Sequence, residues 1–216
     1  LTLSILLCSP AHSSIIWETD ASSELTGSRT STVGSGIVAT DGWDNGGLVI
    51  SWNISQDSFS SYWTYQYTVN IDRKDVSHFI LEVTEDDPVI NTFEGTDMNI
   101  EGPTNWSQGP SNPLMPNDVY GIKFDFGGSS TTYTLVTDRA PVYGVFYAKD
   151  GKDMGEDVVA WSNALNFSDY KSNDTLTTVD FIVRPDSFVV PAPGAIWLLG
   201  YGMLCWIGFR KKFKKK

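Results

Sequence analysis

A strict alternation of side-chain types over residues 63–71 constrains the fold of this chain more than any other feature. Aromatic and branched apolar residues occupy every odd position there, and Thr, Gln or Asn occupies every even position. Successive side chains of a β-strand point to opposite faces of a sheet. The pattern therefore predicts a strand with one buried face and one face in water.

Other segments rich in aromatic and β-branched residues predict further short strands, with Gly, Asn and Asp turn signals between them. The polar link 72–75 predicts a hairpin between the alternating strand and the next one. No stretch of the central chain shows a sustained helical period, so we expect an all-β, antiparallel β-sandwich or jelly-roll-like domain. The predicted strands are 48–54, 62–71, 77–84, 119–126, 131–137, 142–148, 158–165 and 179–183.

Two regions interrupt this series of strands. Residues 22–40 are rich in Ser, Thr and Gly, which predicts a mobile or edge segment. Residues 86–117 contain five prolines and form an unusually long insertion. Long insertions often carry function, and the alternative is that this one covers a sheet edge without binding a ligand.

The C-terminal 27 residues have a different composition from the rest. Residues 194–209 carry no charge and would rise only about 24 Å as a helix, but the 22 uncharged residues from 188 onward reach across a hydrocarbon core of about 30 Å. Cations after such a helix hold its end in the cytoplasm. We therefore expect a single C-terminal transmembrane helix, with a basic stop formed by Arg210, Lys211, Lys212, Lys214, Lys215 and Lys216.

The start of this tail has a distinct motif, formed by Val190, Pro191, Pro193, Gly194, Ala195, Trp197, Leu198 and Gly200. With the uncharged run and the basic stop, it resembles the PEP-CTERM sorting signal of Gram-negative bacteria, in the variant that begins Val-Pro-x-Pro. Ala192 stands where the commoner form of the motif has Glu. The resemblance implies export, recognition by an exosortase-type membrane transpeptidase, cleavage near the motif, and delivery to the cell surface or to extracellular polysaccharide or biofilm. An ordinary single-pass anchor in the inner membrane is the alternative.

The N-terminus also indicates export. Residues 1–8 are mostly apolar, and 11–13 form a small-x-small cleavage site, as at the end of a signal peptide. An initiator Met and a basic segment are missing, so we expect this end to be truncated. A lipoprotein signal at Cys8 is the alternative, although Leu7 is larger than such a signal needs. We thus divide the chain into a signal segment 1–13, an exported β domain 14–189 and a sorting signal 190–216.

Charge separates along the chain. All 26 acidic residues lie in 14–189, and six of the 15 Lys and Arg lie in the tail, which leaves the domain a net charge of about −17. Such a domain would be repelled by phosphate backbones, so we expect no nucleic-acid partner. Both cysteines lie in the terminal segments, so the exported domain has neither a disulfide nor a cysteine metal site.

The residues suited to catalysis do not form a recognisable motif. His78 lies in a strand-like run, where a single histidine is usually structural. The acids Glu82, Glu85, Glu94 and Glu101 could supply a glycosidase pair, but an acidic domain always contains some pair. We expect a structural or adhesive protein rather than an enzyme.

Two further hypotheses concern ligands. The segment 150–157 carries Asp150, Asp153, Glu156 and Asp157, which could supply oxygens to Ca²⁺, and residues 41–45 are a weaker candidate. The alternative is a solvated acidic hairpin turn, with no cofactor. For carbohydrate, Trp43 and Trp106 are the candidates, because they lie in turn-like or loop-like sequence where a ring could stack on a sugar. A carbohydrate-binding module on a plain membrane anchor is therefore the second candidate function.

Overall fold

The computed structural model describes residues 15–59, 62–84, 99–125 and 127–186. These residues form strands and three short 3-10 helices, and they include no α-helix. Nothing in the described ranges is a helix of the length and hydropathy needed to cross a membrane. The strands are Thr26–Thr30 (β1), Ile37–Ala39 (β2), Leu48–Gln56 (β3), Trp63–Ile71 (β4), His78–Glu82 (β5), Asn99–Trp106 (β6), Val119–Asp125 (β7), Ser130–Thr137 (β8), Pro141–Gly144 (β9), Phe146–Asp153 (β10), Glu156–Ser162 (β11) and Ile182–Pro185 (β12).

The strands form three sheets. A four-stranded sheet has the order β1-β3-β4-β8, a six-stranded sheet has the order β2-β11-β10-β5-β7-β6, and β12 pairs with β9. Each of these pairings is antiparallel. The expected all-β fold with antiparallel sheets is thereby confirmed.

The two large sheets pack face to face through aromatic rings. The ring of Tyr133 on β8 lies 4.4 Å from that of Phe124 on β7 and 5.4 Å from that of Phe79 on β5, measured between centroids. Phe79 also stacks on Phe146 of β10, at 5.4 Å. Offset and tilted aromatic pairs at such distances add to the hydrophobic stabilisation of a core. The main core therefore lies between these sheets, and the buried rows of β3 and β4 face it.

Strand β5 is buried on both faces. On the face away from the four-stranded sheet, the connection between β6 and β7 contributes Met115, which is 1% exposed, and Asn112, which bonds to His78. The segment after β11 adds Leu165 and Tyr170, both buried. The outer face of the six-stranded sheet is thus covered by loops, whereas none of the residues that the structure describes covers the outer face of the four-stranded sheet.

Several sequence-based expectations need correction. The link 72–75 does not close a hairpin, because β4 belongs to the four-stranded sheet and β5 to the six-stranded sheet. The strand predicted over 142–148 is two strands, β9 and β10, in different sheets. The strand predicted over 179–183 begins later, since Thr178–Asp180 forms a 3-10 helix with a capping box.

Three strands were not predicted at all. β1 and β2 lie in the Ser/Thr/Gly-rich region, and both are edge strands, so the edge interpretation of residues 22–40 is confirmed. β6 lies in the proline-rich insertion and forms the opposite edge of the six-stranded sheet. The predicted signal segment 1–13 and sorting signal 190–216 lie outside the described residues.

Candidate functional site

The structure places Trp43 in the core. Its side chain has no exposed surface, and its indole Nε1 donates to the carbonyl of Arg73 at 3.2 Å. A ring with no exposed face cannot stack on a sugar, so the carbohydrate prediction for Trp43 is wrong. The turn-like sequence around it described the backbone but did not show that the ring points inward.

Trp106 lies at the end of β6 rather than in a loop. Its Nε1 donates to the carbonyl of Gly121 at 2.9 Å, and the Lys123 ammonium lies 5.2 Å from the ring centroid. That ammonium also pairs with Glu101 at 2.9 Å and with Asp125 at 3.2 Å. One face of the ring is therefore engaged by a cation, which leaves Trp106 a partly exposed edge residue.

The predicted calcium ligands lie along the β10–β11 hairpin, where two of the four pair with cations and Asp150 accepts a hydrogen bond from Ser77. Asp153 lies 3.1 Å from Arg73 and 3.8 Å from Lys74, and Asp157 lies 3.6 Å from Lys152. Among the described residues no group of three or more acids, histidines or cysteines could hold a metal ion. This geometry fits the solvated acidic hairpin. The four proposed ligands were Asp150, Asp153, Glu156 and Asp157.

His78 has a structural environment. Its Nε2 lies 3.1 Å from Oδ1 of Asn112, and the side chain is buried in the covered face of β5. Burial, followed by the charges of Lys123 and Lys149, lowers the pKa of His78 from 6.5 to about 4. The imidazole is therefore neutral over the physiological range.

Of the carboxylates considered as a glycosidase pair, the two that the structure describes are not brought together. Glu82 is buried on β5, while Glu101 is exposed on β6, and β7 lies between these strands. Glu85 and Glu94 lie outside the described residues. Within the described residues, the acids that were considered supply no pair facing across a cleft.

Glu82 instead lies at the centre of a buried polar cluster, which the sequence analysis did not find. The carboxylate accepts hydrogen bonds from Trp17 Nε1 at 3.1 Å, from the Tyr170 hydroxyl at 3.0 Å and from the backbone N–H of Val145 at 2.9 Å. The Arg184 Nε lies 3.4 Å from it. Buried charge is tolerated when it is paired and hydrogen-bonded in this way. The signal in the sequence was an acid and an arginine next to runs of large apolar residues.

Arg184 links this cluster to the end of the domain. The side chain is fully buried, its Nη2 lies 3.1 Å from Glu18, and its Nη1 donates to the Thr84 hydroxyl at 3.1 Å. Burial alone would lower the pKa of Arg184, but the charges of Glu82 and Glu18 outweigh it and raise the pKa. The guanidinium therefore stays charged wherever the fold persists.

Tyr170 lies in the segment after β11 that covers the outer face of the six-stranded sheet, and its hydroxyl bonds to Glu82. Burial, followed by the negative charge of Glu82, raises the pKa of Tyr170. The hydroxyl is therefore a permanent donor to the carboxylate. With donors on both of its oxygens and an exposure of 1%, Glu82 is better suited to hold strands together than to meet a substrate.

The buried polar cluster around Glu82 and Arg184 holds β12, the last described strand. The hydroxyl of Tyr67 donates to the Val183 carbonyl at 2.8 Å, and the backbone N–H of Asp186 donates to the Ala140 carbonyl at 2.9 Å. The predicted sorting signal begins four residues after Asp186. The candidate functional site is therefore the last described strand, which Arg184 fixes and which the predicted sorting signal follows in the sequence.

Comparisons of this chain with protein-family models, with curated proteins and with solved structures give no match.

Proposed function

We propose that this chain is an exported bacterial surface or extracellular-matrix protein, sorted through its C-terminal tail by an exosortase-type transpeptidase. Val190–Pro193 is the recognition motif, residues 194–209 form a transmembrane helix in the inner membrane, and the basic residues from Arg210 hold the C-terminus in the cytoplasm. The β domain is structural or adhesive and works among extracellular polysaccharide or biofilm. No catalytic role is assigned to it.

The observation that carries the proposal is the tripartite tail, with its Val-Pro-x-Pro motif, uncharged run and six terminal cations. The attachment of β12 supports it. A surface protein held by one end transmits force through the strand next to its anchor. In this domain that strand carries a fully buried Arg184 paired with two carboxylates. Removing one partner of such a pair is strongly destabilising, so the strand resists being pulled out.

The experiment is the intact mass of the protein recovered from cell-surface, medium and inner-membrane fractions. We expect a surface or medium species that lacks the segment after about Pro193. A double variant, Pro191→Ala with Pro193→Ala, should keep the full tail and stay in the inner membrane. The matched control Ser187→Ala, just upstream of the motif, should be processed like the wild type.

A full-length tail on the wild-type protein in the inner membrane would reject the sorting proposal. It would favour the second candidate, a carbohydrate-binding module on a plain single-pass anchor. The uncharged sheet face described next is the observation that keeps this second candidate open.

A further inference from the structure

The outer face of the four-stranded sheet is polar but carries no charge. Every outward-facing side chain on β1, β3, β4 and β8 is uncharged, and all except Val49 and Val136 are Ser, Thr, Asn or Gln. In a domain with a net charge of about −17, this face is an exception. We call it the neutral face. Its cross-strand rows are Thr30-Val49-Asn70-Ser130, Ser28-Ser51-Thr68-Thr132, Thr26-Asn53-Gln66-Thr134 and Ser55-Thr64-Val136.

The polar groups of the neutral face are arranged in a regular grid. Strands lie about 4.8 Å apart, and every second residue along a strand is about 6.8 Å away. Three cross-strand hydrogen bonds order the side chains: Thr26 to Asn53 at 3.2 Å, Thr68 with Thr132 at 2.8 Å, and Ser130 to Asn70 at 2.6 Å. Each of these groups keeps further capacity to donate or accept.

A shallow groove runs over the centre of the neutral face. Its volume is about 570 Å³, and its polar lining consists of Thr26, Ser28, Ser51, Asn53, Gln66 and Thr68. Hydroxyl and amide groups can both donate and accept, which is what a polyhydroxylated ligand requires of a surface.

Exposed aromatic residues flank one end of this face. Phe59 is 98% exposed and Tyr62 is 37% exposed, and both lie in the connection between β3 and β4, the two central strands. Exposed rings beside a face of hydroxyl and amide groups supply the apolar surface on which a sugar ring packs, while the polar groups fix its orientation.

We propose that the neutral face binds an uncharged polysaccharide chain, with the Asn53 and Gln66 amides at its centre and Phe59 at its end. The inference deepens the proposed function, on which it rests, because that function places the domain among extracellular polysaccharide. An anionic polymer is disfavoured by the negative charge of the domain. A second copy of the chain is disfavoured because stable protein interfaces have apolar and aromatic centres, and this face offers two valines.

The test is affinity electrophoresis of the full chain in a polyoxyethylene detergent, through native gels containing one soluble polymer each. The neutral probes are hydroxyethyl cellulose, dextran and galactomannan, and the anionic probe is alginate. We expect a neutral polymer to retard the wild-type chain and alginate not to retard it. The double variant Asn53→Ala with Gln66→Ala should raise the apparent dissociation constant for the polymer about tenfold or more, because two hydrogen-bonding amides are lost.

Two further variants separate binding from folding. Phe59→Ala changes a side chain that is 98% exposed, so it should weaken binding without lowering the melting temperature. Gln108→Ala with Ser111→Ala removes exposed polar groups from the loop that covers the other sheet, and it should bind like the wild type.

Three outcomes would overturn the inference. The first is that no neutral polymer retards the wild-type chain. The second is that the wild type, the Asn53→Ala with Gln66→Ala variant and the Phe59→Ala variant are retarded equally. The third is that the chain self-associates and that these two variants abolish the self-association. A processed tail combined with no polymer binding would remove this inference and leave the sorting proposal intact. Polymer binding by a chain whose tail stays unprocessed would reject the sorting proposal and leave the inference about the neutral face intact.

Discussion

Arg184 and Glu82 form an ion pair that is closed off from solvent, with Nε and Oε2 3.4 Å apart and side-chain exposures of 0% and 2%. The pair joins β12 to β5, a central strand of the six-stranded sheet. It therefore ties the last described strand to the core, together with the bond from Tyr67 to Val183.

Breaking the ion pair between Arg184 and Glu82 should strongly destabilise the folded state. We expect Arg184→Met to lower the free energy of unfolding by about 3–5 kcal/mol, because it leaves the buried Glu82 carboxylate without the Arg184 cation. Glu82→Gln should cost less, because Arg184 keeps its pair with Glu18. Denaturant unfolding of the purified chain, followed by tryptophan fluorescence, measures this loss. The matched control is Arg73→Ala, which removes a surface ion pair with Asp153 and should cost less than about 1 kcal/mol. Equal losses in the three variants would show that Arg184 is no anchor.

Gly144 should be intolerant of a side chain for the same reason. A Cβ there would overlap the Arg184 side chain and come within 2.7 Å of the Glu82 carboxylate. We expect Gly144→Ala to cost about 1–3 kcal/mol, as overpacking in a core does. Gly151→Ala, where a Cβ meets nothing within 4 Å, should stay within about 0.5 kcal/mol of the wild type in the same unfolding experiment. A well-tolerated Ala at position 144 would contradict the packing described here.

His78 should make stability depend on pH between about 4 and 6.5. Its pKa is lowered in the fold, so the unfolded chain binds the proton more readily, and stability falls as pH falls through this window. The contribution of His78 to stability is fully present above pH 6.5 and amounts to at most about 3.5 kcal/mol, at about 1.4 kcal/mol for each pH unit.

The measurement is the slope of unfolding free energy against pH, for the wild type and for His78→Gln. The variant should have a shallower slope between pH 5 and 6.5, the upper part of this window. Comparing slopes rather than absolute values removes any constant loss of stability in the variant. Identical slopes would mean that His78 titrates normally.

Trp43 should behave as a core residue. Trp43→Ala should cost about 3–5 kcal/mol, because it empties a fully buried site. Trp106→Ala, at a partly exposed edge position, should cost clearly less. Unfolding curves of the two variants decide this, and a Trp43→Ala chain as stable as the wild type would restore the surface interpretation.

The strands that the sequence predicted well are those with long local patterns. The alternation in β4 is visible without any partner, because period two is a property of one strand. β1 was missed because its small polar residues show no such contrast, and β2 was missed because three apolar residues are too few to show a period. Both are strands only because β3 and β11 offer free edges for pairing. The false hairpin between β4 and β5 has a similar cause, since a short polar link does not say which sheet the next strand joins.

The features of the candidate site also fall into two groups, those that local sequence predicts and those that depend on tertiary contacts. Composition and order along the chain determined an acidic all-β domain and predicted the sorting tail, since hydropathy and charge runs are read locally. Tertiary structure alone decided that Trp43 is buried, that Glu82 meets Arg184, and that one sheet face is uncharged. Each of these depends on residues far apart in sequence. Their positions depend on which strands pair and which sheet faces pack together, and the sequence of a single strand does not specify its partners.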